Sequence, residues 1–170
     1  MKTSRKMEIS IRKATVNDAK AISKIWKIIC NEKIYSAVNK PFAVEHEKEY
    51  IKNLSHREGV FLAFKINQVI GFETLDEWSK VTDSFSHVGT IGTFVKPEFR
   101  RKGVGKKLAD FVFEFAKEKG FEKFIIYVRS TNIGAQNFYR KLGFTTRGIL
   151  TNQVKINGNY DDEIFMELFL

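Results

Sequence analysis

Residues 90–116, TIGTFVKPEFRRKGVGKKLADFVFEFA, constrain this chain more than any other stretch. Ile91 to Val95 is apolar and partly β-branched, which predicts a buried strand. Pro97 has no N–H for a sheet ladder, so the strand ends there. Gly103 and Gly105 let the backbone bend tightly and approach a ligand with no Cβ in the way. From Val104 the apolar residues recur at Leu108, Phe111, Val112, Phe115 and Ala116, a helix stripe. The helix start therefore presents free backbone N–H groups among Arg100, Arg101, Lys102, Lys106 and Lys107. Such a site suits an anion, and phosphate is the obvious one.

Two common phosphate motifs do not fit. A P-loop ending on Gly105-Lys106 needs glycine where Arg100 stands and a hydroxyl where Lys107 stands. A dinucleotide fingerprint from Gly103 needs its third glycine where Leu108 stands. The glycine-rich helix ends with Lys117, Lys119 and Gly120, a charged last turn and a C′ glycine. Phe124 to Val128 then reads as another buried strand. A polar turn through Asn132 leads into a helix from about Ile133 to Leu142, stopped by Gly143.

These two segments resemble the signatures of the GNAT superfamily of N-acetyltransferases. Arg100-x-x-Gly103-x-Gly105 after a V-x-P turn resembles its pyrophosphate-binding motif. Asn132, Ala135, Tyr139, Gly143 and Phe144 fall in register with its second signature, N-x-x-A-x-x-x-Y-x-x-x-G-F. The resembling part runs from about Thr90 to Phe144.

Composition narrows the alternatives. The chain has 170 residues, enough for one domain spanning 1–170, and 43% are apolar. No apolar run is long enough to span a membrane. The start, MKTSRKMEISIRK, has no signal-peptide core, so a cytoplasmic protein is expected, with residues 1–7 as a loose basic tail. Cys30 is the one cysteine, and three scattered histidines make no metal-ligand cluster, so no metal is expected. The net charge of +9 raises nucleic-acid binding as a reading, but 20 acidic residues are mixed with 29 basic ones. The densest basic cluster, Arg100 to Lys107, has a use if the ligand is coenzyme A.

In chain order, Glu8 to Lys13 alternates as a short strand. Thr15 with Asp18 resembles a capping box. The helix after it carries Ala19, Ile22, Ile25, Trp26, Ile29 and Cys30 on one face, which makes Cys30 a packing residue. A second helix, about Val44 to Leu54, turns Val44, Tyr50, Ile51 and Leu54 inward. Strands Val60 to Ile66 and Val69 to Leu75 flank Asn67-Gln68 as a hairpin, with a bulge expected at Gly71. Asn157-Gly158 is the strongest hairpin signal in the chain. The strand after it alternates, with Ile164, Met166 and Leu168 on a buried face. Asp161, Asp162 and Glu163 read as a solvated acidic patch, with a site for a cationic acceptor as the alternative. The expected fold is α/β (α+β): a mixed, mostly antiparallel sheet flanked by helices, in the order β-α-α-β-β-β-α-β-α-β-β.

The resemblance implies transfer of an acetyl group from acetyl-coenzyme A to an amine by direct attack in a ternary complex. It implies a cofactor site made of the Phe94 and Val95 backbone and the loop Arg100, Arg101, Lys102, Gly103, Val104, Gly105 and Lys106. Asn132 and Ala135 of the second signature join it, and Tyr139 protonates the leaving sulfur. It further implies that the segment between the first two helices shapes the acceptor pocket, with Tyr35 and Phe42 as candidates. Many members carry a general-base Glu on the strand before the loop. Ser86 to Val95 has no carboxylate, so Glu73 on the neighbouring strand is the candidate base, with His87 or a water chain as alternatives. Partners are then acetyl-CoA and an amine acceptor, with no membrane and no nucleic acid, in a monomer or homodimer. A catalytically silent acyl-CoA-binding module is the alternative reading.

Overall fold

The computed structural model describes residues 8–170, and the expected basic tail, residues 1–7, lies outside them. The elements are β1 (Ser10–Lys13), α1 (Ala19–Glu32), α2 (Val44–Asn53), β2 (Gly59–Lys65), β3 (Gln68–Glu77), β4 (Val88–Val95), α3 (Val104–Glu118), β5 (Lys123–Arg129), α4 (Ile133–Lys141), β6 (Thr145–Ile156) and β7 (Asn159–Phe169). The strands form one seven-stranded sheet in the order β1-β2-β3-β4-β5-β7-β6. Among the described residues only the β4–β5 pair is parallel. Element order, class and strand sense match the sequence expectation.

Side-chain alternation along the strands gives the sheet two apolar faces. On one face Phe61, Leu75, Phe124 and Met166 pack with Leu108 and Val112 of α3. On the other, Val60, Leu62 and Phe72 pack with Ile22, Trp26 and Ile29 of α1. Strand β2 is buried along Gly59–Ala63 because it lies between both layers. All six residues of the expected α1 stripe are buried, Cys30 among them. Asp18 accepts the Thr15 N–H at 2.8 Å, the reach-back half of the capping box. Helix α3 ends as foreseen: the Gly120 N–H bonds Lys117 and the Phe121 N–H bonds Ala116, a Schellman closure around Gly120 at φ 79°.

Four local expectations need correction. The β2–β3 turn is centred on Ile66 and Asn67, one residue earlier than read, and Ile66 sits at φ 56° and is exposed. Phe111 is 42% exposed, at the rim of the α3 face, with its ring 5.6 Å from that of Phe61. In α2 the one fully buried side chain is Glu47, while Tyr50, Ile51 and Leu54 are half-buried. On β7, Ile164 and Met166 are buried but Leu168 only partly. The bulge does lie beside Gly71: Ala63 pairs with Gly71 but Phe64 with Val69, leaving Ile70 as the extra residue. A Cβ on Gly71 would stand 2.8 Å from the Phe94 carbonyl oxygen, so only glycine lets β4 approach this closely.

Candidate active site

Strands β4 and β5 pair only through Val88–Thr90 and Lys123–Ile125. Beyond Thr90 they part, and β4 continues toward the glycine loop with one edge released from the ladder. The N-terminus of α3 lies at the end of that edge. Its first helical bond runs from the Lys107 N–H to the Gly103 oxygen at 3.1 Å, so the preceding N–H groups stand outside the ladder. Arg101 (φ 58°) and Gly103 (φ 83°) turn those groups outward. A Cβ on Gly103 would meet nothing, whereas one on Gly105 would meet the Phe138 ring at 3.1 Å. The two glycines thus differ: Gly103 supplies the turn, and Gly105 lets α3 pack close to α4. Val104 is buried and anchors the helix start. A cradle of this kind fits a pyrophosphate.

At the parted edge, the Tyr139 hydroxyl of α4 takes the Thr93 N–H at 3.3 Å and donates to Thr93 Oγ1 at 3.2 Å. Thr93 Oγ1 donates in turn to Glu73 Oε2 at 2.9 Å. Glu73 is fully buried and its Oε1 has no hydrogen-bond partner among the described residues. Burial raises its carboxyl to about 8, against the pull of the Thr93 hydrogen bond. Burial also raises the Tyr139 phenol to about 12, with Glu73 adding to the effect. Both groups are protonated at neutral pH, and they form a continuous hydroxyl chain.

Other sequence-predicted residues have partners that define their place. The Arg100 guanidinium bonds Glu32 through both nitrogens, at 2.8 and 2.6 Å, and its Nε bonds the Val95 oxygen at 2.9 Å. It also lies 4.7 Å from the Tyr35 ring centre. Arg100 therefore ties the loop to the end of α1, and its charge faces Glu32. Lys102 bonds the Glu98 carbonyl, and Lys106 pairs with Asp110 one turn on. Asn132 caps α4 by accepting the Ala135 N–H at 3.0 Å, and its amide holds the Tyr35 carbonyl at 2.9 Å.

The model of the acetyltransferase (GNAT) family matches residues 24–144. The chain belongs to this family. It is 28% identical to an uncharacterized N-acetyltransferase of Methanocaldococcus jannaschii over 63% of this chain and 49% of that protein, so the match spans about half the relative's length. It is 26% identical to the Escherichia coli K12 [ribosomal protein bS18]-alanine N-acetyltransferase, over 76% of this chain and 78% of that one. A solved GNAT phosphinothricin acetyltransferase of Sinorhizobium meliloti, in complex with acetyl-CoA, superposes with a TM-score of 0.88 over 96% of this chain and 89% of that chain, at 19% identity.

Within this GNAT fold a second feature lies across the sheet from Glu73. Phe72, Thr74 and Asp76 alternate onto the face of β3 opposite Glu73 and Leu75, and line a cavity of about 310 Å³. Thr90, Gly92 and Phe94 of β4, Trp26 of α1, and Glu47 and Tyr50 of α2 complete most of its wall. Phe42 also lines it, whereas Tyr35 stands under Arg100. Glu73 does not border this cavity, which separates it from any acceptor entering there. Sequence reading missed Glu47 and Asp76. The signal was present: Glu47 stands three, four and seven residues before Tyr50, Ile51 and Leu54, in the same helical stripe. Asp161 is not solvated: it pairs with Arg129 and bonds Ser130 and Thr131.

Proposed function

We propose that this chain transfers an acetyl group from acetyl-CoA to a primary amine by direct attack within a ternary complex. The observation that carries the reading is the Tyr139 hydroxyl held against Thr93 at the parted edge of β4, on the same strand that leads to the α3 cradle. Bound acetyl-CoA supplies an activated acetyl thioester. The N–H groups of Arg101 to Lys106 hold its pyrophosphate, with the cations around them adding charge. The backbone of Phe94 and Val95 aligns the arm along β4. Arg100 fixes the loop through Glu32 and the Val95 carbonyl, and Asn132 with Ala135 fixes the start of α4 that carries Tyr139. Tyr139 stays a phenol at neutral pH and can give its proton to a departing thiolate. Thr93 and the protonated Glu73 stand behind it and hold its hydroxyl in place. In this reading Glu73 supports the acid rather than serving as base for the acceptor, because it does not line the cavity across the sheet.

Release of coenzyme A from acetyl-CoA, followed with and without primary amines, tests this reading. Amine-dependent release that Tyr139→Phe cuts by roughly 10²–10⁴-fold supports it. Tight acetyl-CoA binding with no release by any amine would instead mark an acyl-CoA-binding module.

A further inference from the structure

We propose that Glu47 receives the acceptor's ammonium and takes its proton, and that the acceptor is a small primary monoamine with an apolar or aromatic body and no carboxylate. The inference rests on the transferase reading above and names the substrate class of that site.

Glu47 is 3% exposed, projects from α2 into the cavity, and has no ion-pair partner among the described residues. A buried carboxylate without a cation is costly. An ammonium entering the cavity removes that cost. The surroundings specify the rest of the acceptor. Trp26, Phe42, Phe72 and Phe94 line the cavity, with Trp26 edge-on to Phe42 at 5.3 Å and to Phe72 at 5.5 Å and tilted against Phe94 at 4.3 Å. Such rings favour an apolar body and a nearby cation. Among the described residues no lysine or arginine lines the cavity, so an acceptor carboxylate would face Glu47 and Asp76 without a counter-charge. Asp76 already accepts the Tyr50 hydroxyl at 2.6 Å, which leaves Glu47 as the carboxyl open to an incoming ammonium. About 310 Å³ is at the small end of ligand pockets, which suits a small acceptor.

The proton balance closes. The ammonium gives one proton to Glu47, and the freed nitrogen lone pair forms the N–C bond to the acetyl carbon. The C–S bond breaks with its electron pair on sulfur, and sulfur takes the Tyr139 proton. The nitrogen sheds a second proton, which restores the phenol, and Glu47 returns its own to solvent. Burial raises the Glu47 carboxyl to about 7, against the Trp26 indole hydrogen bond, so it is half ionised near neutrality. The other titratable groups facing the cavity are His46 and Tyr50 from α2 and Asp76 from β3.

The test compares 2-phenylethylamine, phenylalanine and putrescine as acceptors, with calorimetry of acetyl-CoA on each variant. Turnover of 2-phenylethylamine at least about tenfold above both others supports the proposal. So does a Glu47→Gln enzyme that binds acetyl-CoA normally, loses roughly 10²-fold or more in kcat/KM at neutral pH, and recovers as pH rises and free amine accumulates. Glu47→Asp should keep a pH inflection that Glu47→Gln lacks. Preference for phenylalanine or putrescine overturns the acceptor class. An unchanged pH–rate profile in Glu47→Gln overturns Glu47 as the base. Neither of those results touches the transferase reading, which fails only if no amine releases coenzyme A.

Discussion

The Tyr139 hydroxyl donates to Thr93 Oγ1 at 3.2 Å and accepts the Thr93 N–H at 3.3 Å, so one residue of β4 grips the phenol twice. The N–H is available because β4 and β5 have already parted at that level. The opening of the sheet and the placing of the acid are therefore one structural event. Tyr139→Phe keeps the ring against Phe138 and Phe144 but leaves the Thr93 N–H unpaired. It should lower kcat by roughly 10²–10⁴-fold. It should also cost about 0.5–1.5 kcal/mol of stability, the net worth of a hydrogen bond lost at a part-buried donor. Steady-state kinetics with a melting curve checks both. Full turnover in a folded mutant would make Tyr139 a packing residue.

Glu73 should leave a mark on the pH dependence of stability. Its carboxyl moves from 4.5 to about 8 on folding, through burial opposed by the Thr93 hydrogen bond. Between those values the native state holds a proton that the unfolded chain gives up. The contribution of Glu73 is therefore most favourable below pH 4.5 and is lost as pH rises to about 8. Each unit of the gap corresponds to ~1.4 kcal/mol at most. Glu73→Gln removes the titration and should be the more stable protein at alkaline pH, with the difference vanishing in mild acid. Urea denaturation of both proteins at the two pH values checks this, and parallel curves would contradict it.

The Arg100–Glu32 fork joins residues 68 positions apart and fixes the phosphate loop from outside. Glu32→Gln should weaken acetyl-CoA binding several-fold while leaving kcat at saturation close to the parent's. Because the pair is partly exposed, the cost in stability should stay within ~1 kcal/mol. Calorimetry and saturation kinetics separate the two effects. A large loss in kcat would mean that Glu32 acts on the chemistry itself.

Arg101 is exposed on the loop and free of the packing that holds Gly105. Arg101→Glu should reduce acetyl-CoA affinity and flatten its salt dependence, because it reverses a charge beside the anion cradle. Stability should change by less than ~0.5 kcal/mol. Gly105→Glu is the less clean test, since its Cβ points at Phe138 and would wedge α3 from α4.

Local signals carried much of this architecture. The α1 stripe, the Gly120 stop, the Asn132 cap and the Asn157-Gly158 turn (φ 52° and 84°) each depend on neighbours within a few residues, and each is where the sequence places it. What the sequence hid was set by partners far along the chain. Arg100 reads as a phosphate ligand until Glu32 and Tyr35 are seen against it. Asp76 lies past the strand end read at Leu75, but β3 runs on to Glu77, and its alternation sends Glu73 beside Tyr139 and Asp76 into the cavity. Glu47 was obscured by its type, since a carboxylate in an apolar stripe is usually a boundary residue. Only the cavity explains why this one is buried.

Incubation with acetyl-CoA and 2-phenylethylamine, with coenzyme A release and the acetylated amine followed together by mass spectrometry, tests the account most directly. Equal amounts of free coenzyme A and N-acetylated amine, formed by the parent and nearly abolished in Tyr139→Phe, are the predicted result. Acetyl-CoA bound at the α3 cradle with no acetylated product from this or any other primary amine would contradict it.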